Sequence, residues 1–329
     1  MASDCKYLFL NNFFEALSLG LLAGAAAAQA PQFPSKNIRM IVPSAPSGGT
    51  DLIARFTGQK VGEALGQSVI VDNISGGATR IGIIAAAKAP PDGHTWLIST
   101  VNFAYVPAVY AKLPYDPAQD FTPVIHIANS ASVLVVHPVV PAKTVREFIA
   151  LARARPEEVR YASGGPGSVG HLVSELFQMQ AKVKLLNVPY KGTGPGVNAV
   201  MGGEVHMFIA NMATLLPHVR AGRVRALGVT TVTRAKTALE IPTLAESGLP
   251  DYDYSGWYGL WLPAKSPAAA VRRINDEYNR VLNDAGVKAR FADFTLEAVG
   301  GTPEKFGAYV AAEILKWEKV VKDAGVKLD

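Results

Sequence analysis

The sequence predicts an α/β fold with mostly parallel sheets and right-handed crossovers. Three observations carry that prediction. Short apolar runs of strand length alternate with runs of helical periodicity along most of the chain. Two glycine-rich loops, Ser44 to Asp51 and Ser163 to Ser168, each follow a short apolar run and precede a helix-like one. The length of 329 residues, with 49% hydrophobic and 18% charged, describes a globular chain with room for two domains.

Each expected element has a local reason. Ile38–Val42, Thr95–Ser99, Ser132–His137 and Trp257–Leu262 are largely apolar runs of five or six residues, as buried strands require. Ser68–Asp72, Val124–Ala128, Leu185–Pro189, Val205–Ile209 and Val224–Val229 are further strand-like runs, and Arg160 to Ala162 leads into the second glycine loop. Apolar residues recur at helical spacing in Leu52–Leu65, Val145–Ala154, Leu172–Gln178 and Ala268–Leu282. Thr144 followed by Glu147 forms a capping box, in which each side chain satisfies the other's backbone N–H. Thr302 followed by Pro303 starts a last helix that Gly325 stops. The β-like stretch from Val124 to His137 is long enough to cross between two lobes.

Residues 1–30 read as a secretory signal. Lys6 precedes the apolar stretches Tyr7 to Leu10 and Phe13 to Ala27, and small residues at Ala28 and Ala30 offer cleavage points. Asn11, Asn12 and Glu15 interrupt the apolar run, which makes it a poor membrane span. Cleavage removes Cys5, the only cysteine, so the mature chain would form no disulfide and use no cysteine nucleophile. A formal net charge of +5 without any Lys/Arg run gives nucleic-acid binding no support.

The glycine loops point to an anion. A strand that turns through small residues into a helix leaves free N–H groups at the helix N-terminus, where the helix dipole is positive. Such an end holds a carboxylate or phosphate, and two of them suit an anion clamped between two lobes. Either loop alone is equally a tight turn.

Enzyme signatures find little footing. Gly165-x-Gly167-x-x-Gly170 is formally a dinucleotide fingerprint, but the carboxylate due about 20 residues later is replaced by Val188-Pro189-Tyr190-Lys191. Neither glycine cluster continues into the Gly-Lys-Ser/Thr of a P-loop. The six histidines, His94, His126, His137, His171, His206 and His218, form no metal-spaced pair. Ser168 and His171 share a helix side, yet a nucleophilic pair needs an orienting third group and an oxyanion hole. His171 reads as a polar residue that holds the loop. No catalytic residue, metal or cofactor is expected.

The motifs together resemble the Bug proteins, the extracytoplasmic solute receptors of the tripartite tricarboxylate transporter family. The resemblance rests on Ile41 to Asp51, Ala89 to Thr95, Leu113-Pro114-Tyr115-Asp116 and Asp120-Phe121-Thr122-Pro123. It continues through Tyr161 to Ser168 with His171-Leu172, Val188 to Gly192, Gly222 to Leu227, Ile241-Pro242-Thr243, Glu246-Ser247-Gly248 and Trp257-Tyr258-Gly259. These motifs keep their order from about Phe33 to the C-terminus.

The resemblance implies a two-lobed periplasmic-binding-protein fold of type II-like form, each lobe a mostly parallel sheet flanked by helices. The implied division is a signal peptide at 1–30, lobe 1 at 31–127, lobe 2 at 128–249 and a return segment of lobe 1 at 250–329. The ligand implied is a small carboxylate, held through backbone amides and hydroxyls. Carried onto this chain, the first lobe offers Ser44, Gly48, Gly49, Thr50 and Asp51. The second offers Ser163, Gly165, Gly167 and Ser168, with Tyr190 and Lys191 lining the cleft. Asp51 is expected to bond its own loop rather than the anion, and Ser168 to sit at the start of its helix. The implied partners are the permease subunits of such a transporter, with the receptor a monomer in the periplasm. The alternative is a ligand sensor that presents its closed form to a membrane sensor kinase. Four departures bear on ligand choice: Ser47 stands where the family usually has glycine, Arg80 where asparagine is frequent, Asn187 where histidine is common, and Ala210 where an aspartate often lies. Without that aspartate to meet an ammonium, a plain mono- or dicarboxylate is favoured over an amino acid.

Overall fold

The computed structural model describes residues 33–110 and 112–326. The expected signal segment and Cys5 lie outside the described residues. Strands β1 (Ile38–Val42), β2 (Val69–Asn73), β3 (Thr95–Thr100) and β4 (Phe121–Ser130) are separated by helices α1 (Gly49–Leu65), α2 (Arg80–Ala87) and α3 (Asn102–Val109). After β5 (Ser132–Val136) come α4 (Val145–Ala154), β6 (Arg160–Ser163), α5 (Val169–Ala181), β7 (Leu186–Pro189), α6 (Thr193–Met201), β8 (Met207–Asn211), α7 (Met212–Arg220) and β9 (Arg225–Val229). The last part holds β10 (Gly256–Pro263), α8 (Ala268–Asn283), α9 (Ala285–Asp293), β11 (Leu296–Ala298) and α10 (Pro303–Ala324).

The strands form two sheets, ordered β11-β4-β10-β3-β1-β2 and β7-β6-β8-β5-β9. The expected α/β class with two sheets flanked by helices is therefore present. Its parallel character needs refinement. Four of six strands in the first sheet and four of five in the second run one way, but antiparallel strands are inserted among them. β10 runs against both neighbours in the first sheet, and β5 against both in the second. These are the strands that the chain lays down on changing sheets, so they arrive from the opposite end without a crossover helix.

The change of sheet falls within the stretch from Val124 to His137. β4 ends at Ser130 in the first sheet and β5 starts at Ser132 in the second, with Ala131 between. The return is made at Tyr254 and Ser255. Tyr254 N–H donates to the Thr230 carbonyl of the second lobe's edge, and Gly256 already pairs with Ser130 in the first sheet.

Both caps read from the sequence are formed. Thr144 Oγ1 accepts from Glu147 N at 3.2 Å while Glu147 Oε2 accepts from Thr144 N. Thr302 caps α10, and Gly325 closes it in the left-handed conformation at φ 66°. Five helices were invisible as periodic patterns. α2 and α3 are apolar nearly all round, and α3 contains Pro107. α6 is rich in glycine with an internal proline, α7 contains Pro217, and α9 is short. Tertiary packing, not propensity, makes them helical.

The first sheet is anchored by aromatic residues. Trp96, Trp257, Trp261 and Trp317 are all fully buried, and Trp261 stacks on Phe103 at 4.3 Å. Gly259 of β10 faces Phe306 so closely that a Cβ would lie 2.1 Å from the ring, which only glycine permits. Buried Glu313 of α10 accepts from the indole N–H groups of Trp257 and Trp317 through one oxygen and pairs with Lys316 through the other. On α8, Val271, Ile274, Tyr278 and Val281 recur at helical spacing on the buried face. Buried Asn275 ties that helix to the carbonyls of Val124 and Gly301.

Ser47 lies in the left-handed region, at φ 65°, which explains why a glycine suits that position. Ser47→Gly is expected to leave stability unchanged or raise it by about 1 kcal/mol, because relief of strain competes with the entropy of an unfolded glycine. β-Branched Ser47→Val should lower it by about 1–2 kcal/mol; urea unfolding of the two variants checks this. His126 packs against Trp257, Phe306 and Tyr309, and burial lowers its pKa to about 4. Between pH 6.5 and 4 the unfolded chain takes up a proton that folded His126 refuses. Its contribution is therefore complete above pH 6.5 and is lost as pH falls, by about 3 kcal/mol across the window. His171 and His206, also lowered by burial, act in the same sense. His126→Phe should flatten the measured slope of unfolding free energy against pH in that range.

Candidate functional site

A cavity of about 630 Å³ opens between the two sheets. The first lobe contributes Thr100, Val101 and Asn102 at the end of β3, Ser130, and the segment Tyr254 to Tyr258 apart from Ser255. The second contributes Ser168, Val169 and Gly170 at the start of α5, Gly192 to Gly194 at the start of α6, and Ala210, Asn211 and Thr214 around the start of α7. Among the described residues that line it there is no Asp, Glu, Lys, Arg or His.

Four helix N-termini meet at this cavity, those of α3, α5, α6 and α7. Each follows a strand of its own sheet; of the four, only the α5 end is one of the two that the sequence marks as an anion site. Each brings unsatisfied N–H groups and a positive dipole end equivalent to about half a charge. α6 has no side-chain cap at Gly192, so its first N–H groups depend on whatever occupies the cavity or on water. Neutral hydroxyls and amides complete the wall. Asn102 accepts from Thr100 Oγ1 through its Oδ1 and keeps its amide N–H₂ unpaired. Asn211 Nδ2 donates to Ser130 Oγ, a bond between the two lobes, while Asn211 Oδ1 accepts from Ala213 N and caps α7. Burial raises the Tyr258 pKa, so its phenol stays a neutral donor. Apolar contacts come from Val173, Phe208, Ile209 and Trp257.

Of the second glycine loop, Gly164 and Ser168 line the cavity, whereas Ser163, Gly165 and Gly167 do not. Ser168 is the N-cap of α5, and its Oγ accepts from His171 N at 3.3 Å, leaving its own hydroxyl proton to point elsewhere. Ser163 is buried and its Oγ accepts from Gly165 N. Gly165 and Gly167 take φ of 108° and 69°, and the Gly167 N–H donates to His171 Nδ1. That bond requires a neutral ring, and burial lowers the His171 pKa accordingly, opposed by nearby Glu175. His171 therefore holds the loop, as the sequence indicates.

None of Ser44, Gly48, Gly49, Thr50 and Asp51 of the first glycine loop lines the cavity; the loop is related to it through Gly49 and Tyr258. Gly48 is the N-cap of α1, and Gly49 approaches Tyr258 so that a Cβ would meet its hydroxyl at 3.2 Å. Ser44 Oγ is buried without a partner, and Thr50 is half-buried in the first turn. Asp51 is buried with its carboxylate fully engaged: Oδ2 accepts from Ser47 N and Arg55 Nε, and Oδ1 from Asn73 Nδ2. Burial raises its pKa, but these donors outweigh that and hold it below the usual value. Asp51 shapes its loop. Tyr190 turns its hydroxyl to Glu204, and Lys191 is exposed; neither lines the cavity, although Gly192 beside them does.

Sequence reading missed Thr100, Asn102, Ser130, Thr193, Asn211, Thr214 and Tyr258. Asn211 and Gly192-Thr193 carried a signal, since each is a cap-type residue after an apolar run. The first-lobe wall carried none, because the crossing brings it there from distant parts of the chain.

The model for the tripartite tricarboxylate transporter family receptor matches residues 53–326. The protein BugT of Bordetella pertussis is 35% identical over 306 residues, which cover 92% of this chain and 94% of BugT. R. palustris Rpa4515, solved with adipate, is 36% identical with a TM-score of 0.77, covering 90% of this chain and 99% of that one. MatC from Rhodopseudomonas palustris, solved with malate, is 29% identical with a TM-score of 0.73, covering 88% of this chain and all of that one. Matched along most of its length in sequence and in fold, the chain belongs to the tripartite tricarboxylate transporter receptor family, the TctC or Bug solute-binding proteins.

Proposed function

We propose that this receptor captures a small mono- or dicarboxylate between its lobes and delivers it to the membrane subunits of a tripartite tricarboxylate-type transporter. The observation that carries the proposal is the cavity that four helix N-termini share without one ionised side chain. A carboxylate is the ligand that such a wall recognises: every contact it needs is a donor, and no buried counter-charge has to be desolvated. Ala210 lines the cavity, so an amino acid would find no acid there for its ammonium. Val173, Phe208 and Trp257 suit the methylenes of a dicarboxylate. The adipate and malate bound by the two relatives support the same class.

In this reading Ser168, Val169 and Gly170 take one carboxylate from the second lobe. Ser44, Gly48, Gly49 and Thr50 approach it from the first lobe beside Tyr258, with Asp51 fixing their loop. Ser163, Gly165 and Gly167 shape the second loop, while Tyr190 and Lys191 stay outside the cavity wall. The sheet changes at Ala131 and Ser255 support lobes that divide near those residues. The receptor binds and releases its ligand unchanged, as a monomer, in the periplasm after loss of its signal segment.

Native mass spectrometry of the purified protein is expected to show a bound carboxylate, and an exclusively uncharged or cationic ligand would overturn the reading. In calorimetry, adipate should bind and its diamide should not; equal affinities would exclude the anion clamp. Ser168→Ala removes one hydroxyl donor to a charged group and should weaken adipate about tenfold, the lower end for such a bond. Because Ser168 also caps α5, the same variant should lose about 1 kcal/mol of ligand-free stability.

A further inference from the structure

The first lobe's share of the cleft wall holds one donor whose role is fixed. A hydroxyl such as that of Tyr258 donates or accepts as its neighbour requires. The Asn102 side chain has no such freedom. Thr100 Oγ1 accepts from the Asn102 backbone N–H at 3.4 Å and gives its own proton to Asn102 Oδ1 at 3.1 Å. With its oxygen held in that way, the amide turns its N–H₂ away from Thr100, and none of the described residues accepts from it. Both residues line the cavity. An N–H₂ group cannot accept, so it requires an acceptor from whatever occupies the cleft.

The backbone that carries this amide is held from behind. Asn102 opens α3 between buried Val101 and Phe103, and Phe103 stacks on Trp261 at 4.3 Å. The donor therefore meets the cleft from a fixed point, with the positive end of the α3 dipole behind it. Sheet order says where that point lies. In the first sheet β3 stands between β1 and β10. Asn102, just past β3, is thus displaced from the first glycine loop by about one strand spacing, roughly 5 Å, toward the β4–β10 crossing. The carboxylate carbons of extended adipate are about 6 Å apart, five carbon–carbon bonds of about 1.5 Å laid in zigzag. A diacid held at one end by α5 and the first glycine loop has the right length to reach this amide with its other end.

We infer that Asn102 selects a dicarboxylate, its Nδ2 donating to the ligand's second carboxylate. The inference rests on the carboxylate reading above and narrows it. A monoacid of the same length leaves the N–H₂ facing methylenes, and a donor desolvated without an acceptor is costly. A terminal hydroxyl gives it only a neutral bond, roughly half as strong as one to a carboxylate.

Calorimetry with adipate, hexanoate and 6-hydroxyhexanoate, three ligands of one chain length, tests this. The native protein should bind adipate at least tenfold more tightly than either of the others. Asn102→Leu keeps the outline of the side chain and removes the donor. It should weaken adipate tenfold or more and leave hexanoate within twofold. Asn102→Gln carries the donor one methylene further out, so the preferred acid among glutarate, adipate and pimelate should become one methylene shorter. A merely structural role would not move that preference. Thr100→Val frees the amide to turn; it should weaken adipate about threefold with hexanoate unmoved, and it serves if Asn102→Leu lowers the ligand-free melting temperature. Equal losses of adipate and hexanoate in Asn102→Leu, or native affinities for hexanoate or 6-hydroxyhexanoate that match adipate, would overturn the role of Asn102 while the carboxylate reading stands. Binding of none of these acids would overturn both.

Discussion

Because β4 and β10 are paired from Phe121 opposite Pro263 to Ser130 opposite Gly256, the chain leaves the first sheet and re-enters it at adjacent points. The second sheet is joined to the first at those two points, side by side. Two parallel tethers restrict the relative motion of the lobes to a rotation about the line that joins them. They also dictate the cleft, since β3 in one sheet and β6 and β8 in the other end facing the same gap. The helices that follow those strands must start there. Placing the anion site is thus a consequence of topology, and the side chains only refine it.

The aromatic packing under β10 keeps this line stiff. Trp257 has one face toward the cleft and donates its indole N–H to Glu313, which is held in turn by Trp317 and Lys316. A buried carboxylate is costly unless fully partnered, and this one has three donors. The cleft wall is therefore fastened to α10 through a hydrogen-bonded core, not through loop packing.

Much of this could be read from the sequence, and the limits have physical causes. The β1 and β6 loops were legible because glycine after an apolar run has few other uses. The caps at Thr144 and Thr302 were legible because capping is local. Direction in the sheets was not, since β10 and β5 look like any buried strand and only the crossing reverses them. Half of the cleft wall was also hidden: Thr100, Ser130 and Tyr258 are far apart in the chain and meet only through strand pairing. The role of Asp51 was legible for the same local reason as the caps: expected to bond its own loop, it spends its carboxylate on Ser47, Arg55 and Asn73.

A wall of amides and hydroxyls also sets how a ligand arrives. Helix-terminal partial charges fade within about a turn of the helix, so they grip an anion that is already inside but do not draw one in from solution. Any long-range pull comes from the chain's surplus of +5, spread over its surface and screened by salt within about 8–10 Å. Capture should then proceed at the unassisted pace of diffusion into a fitted opening, nearly indifferent to ionic strength. Such a receptor trades speed of encounter for constancy when the salinity of its surroundings changes.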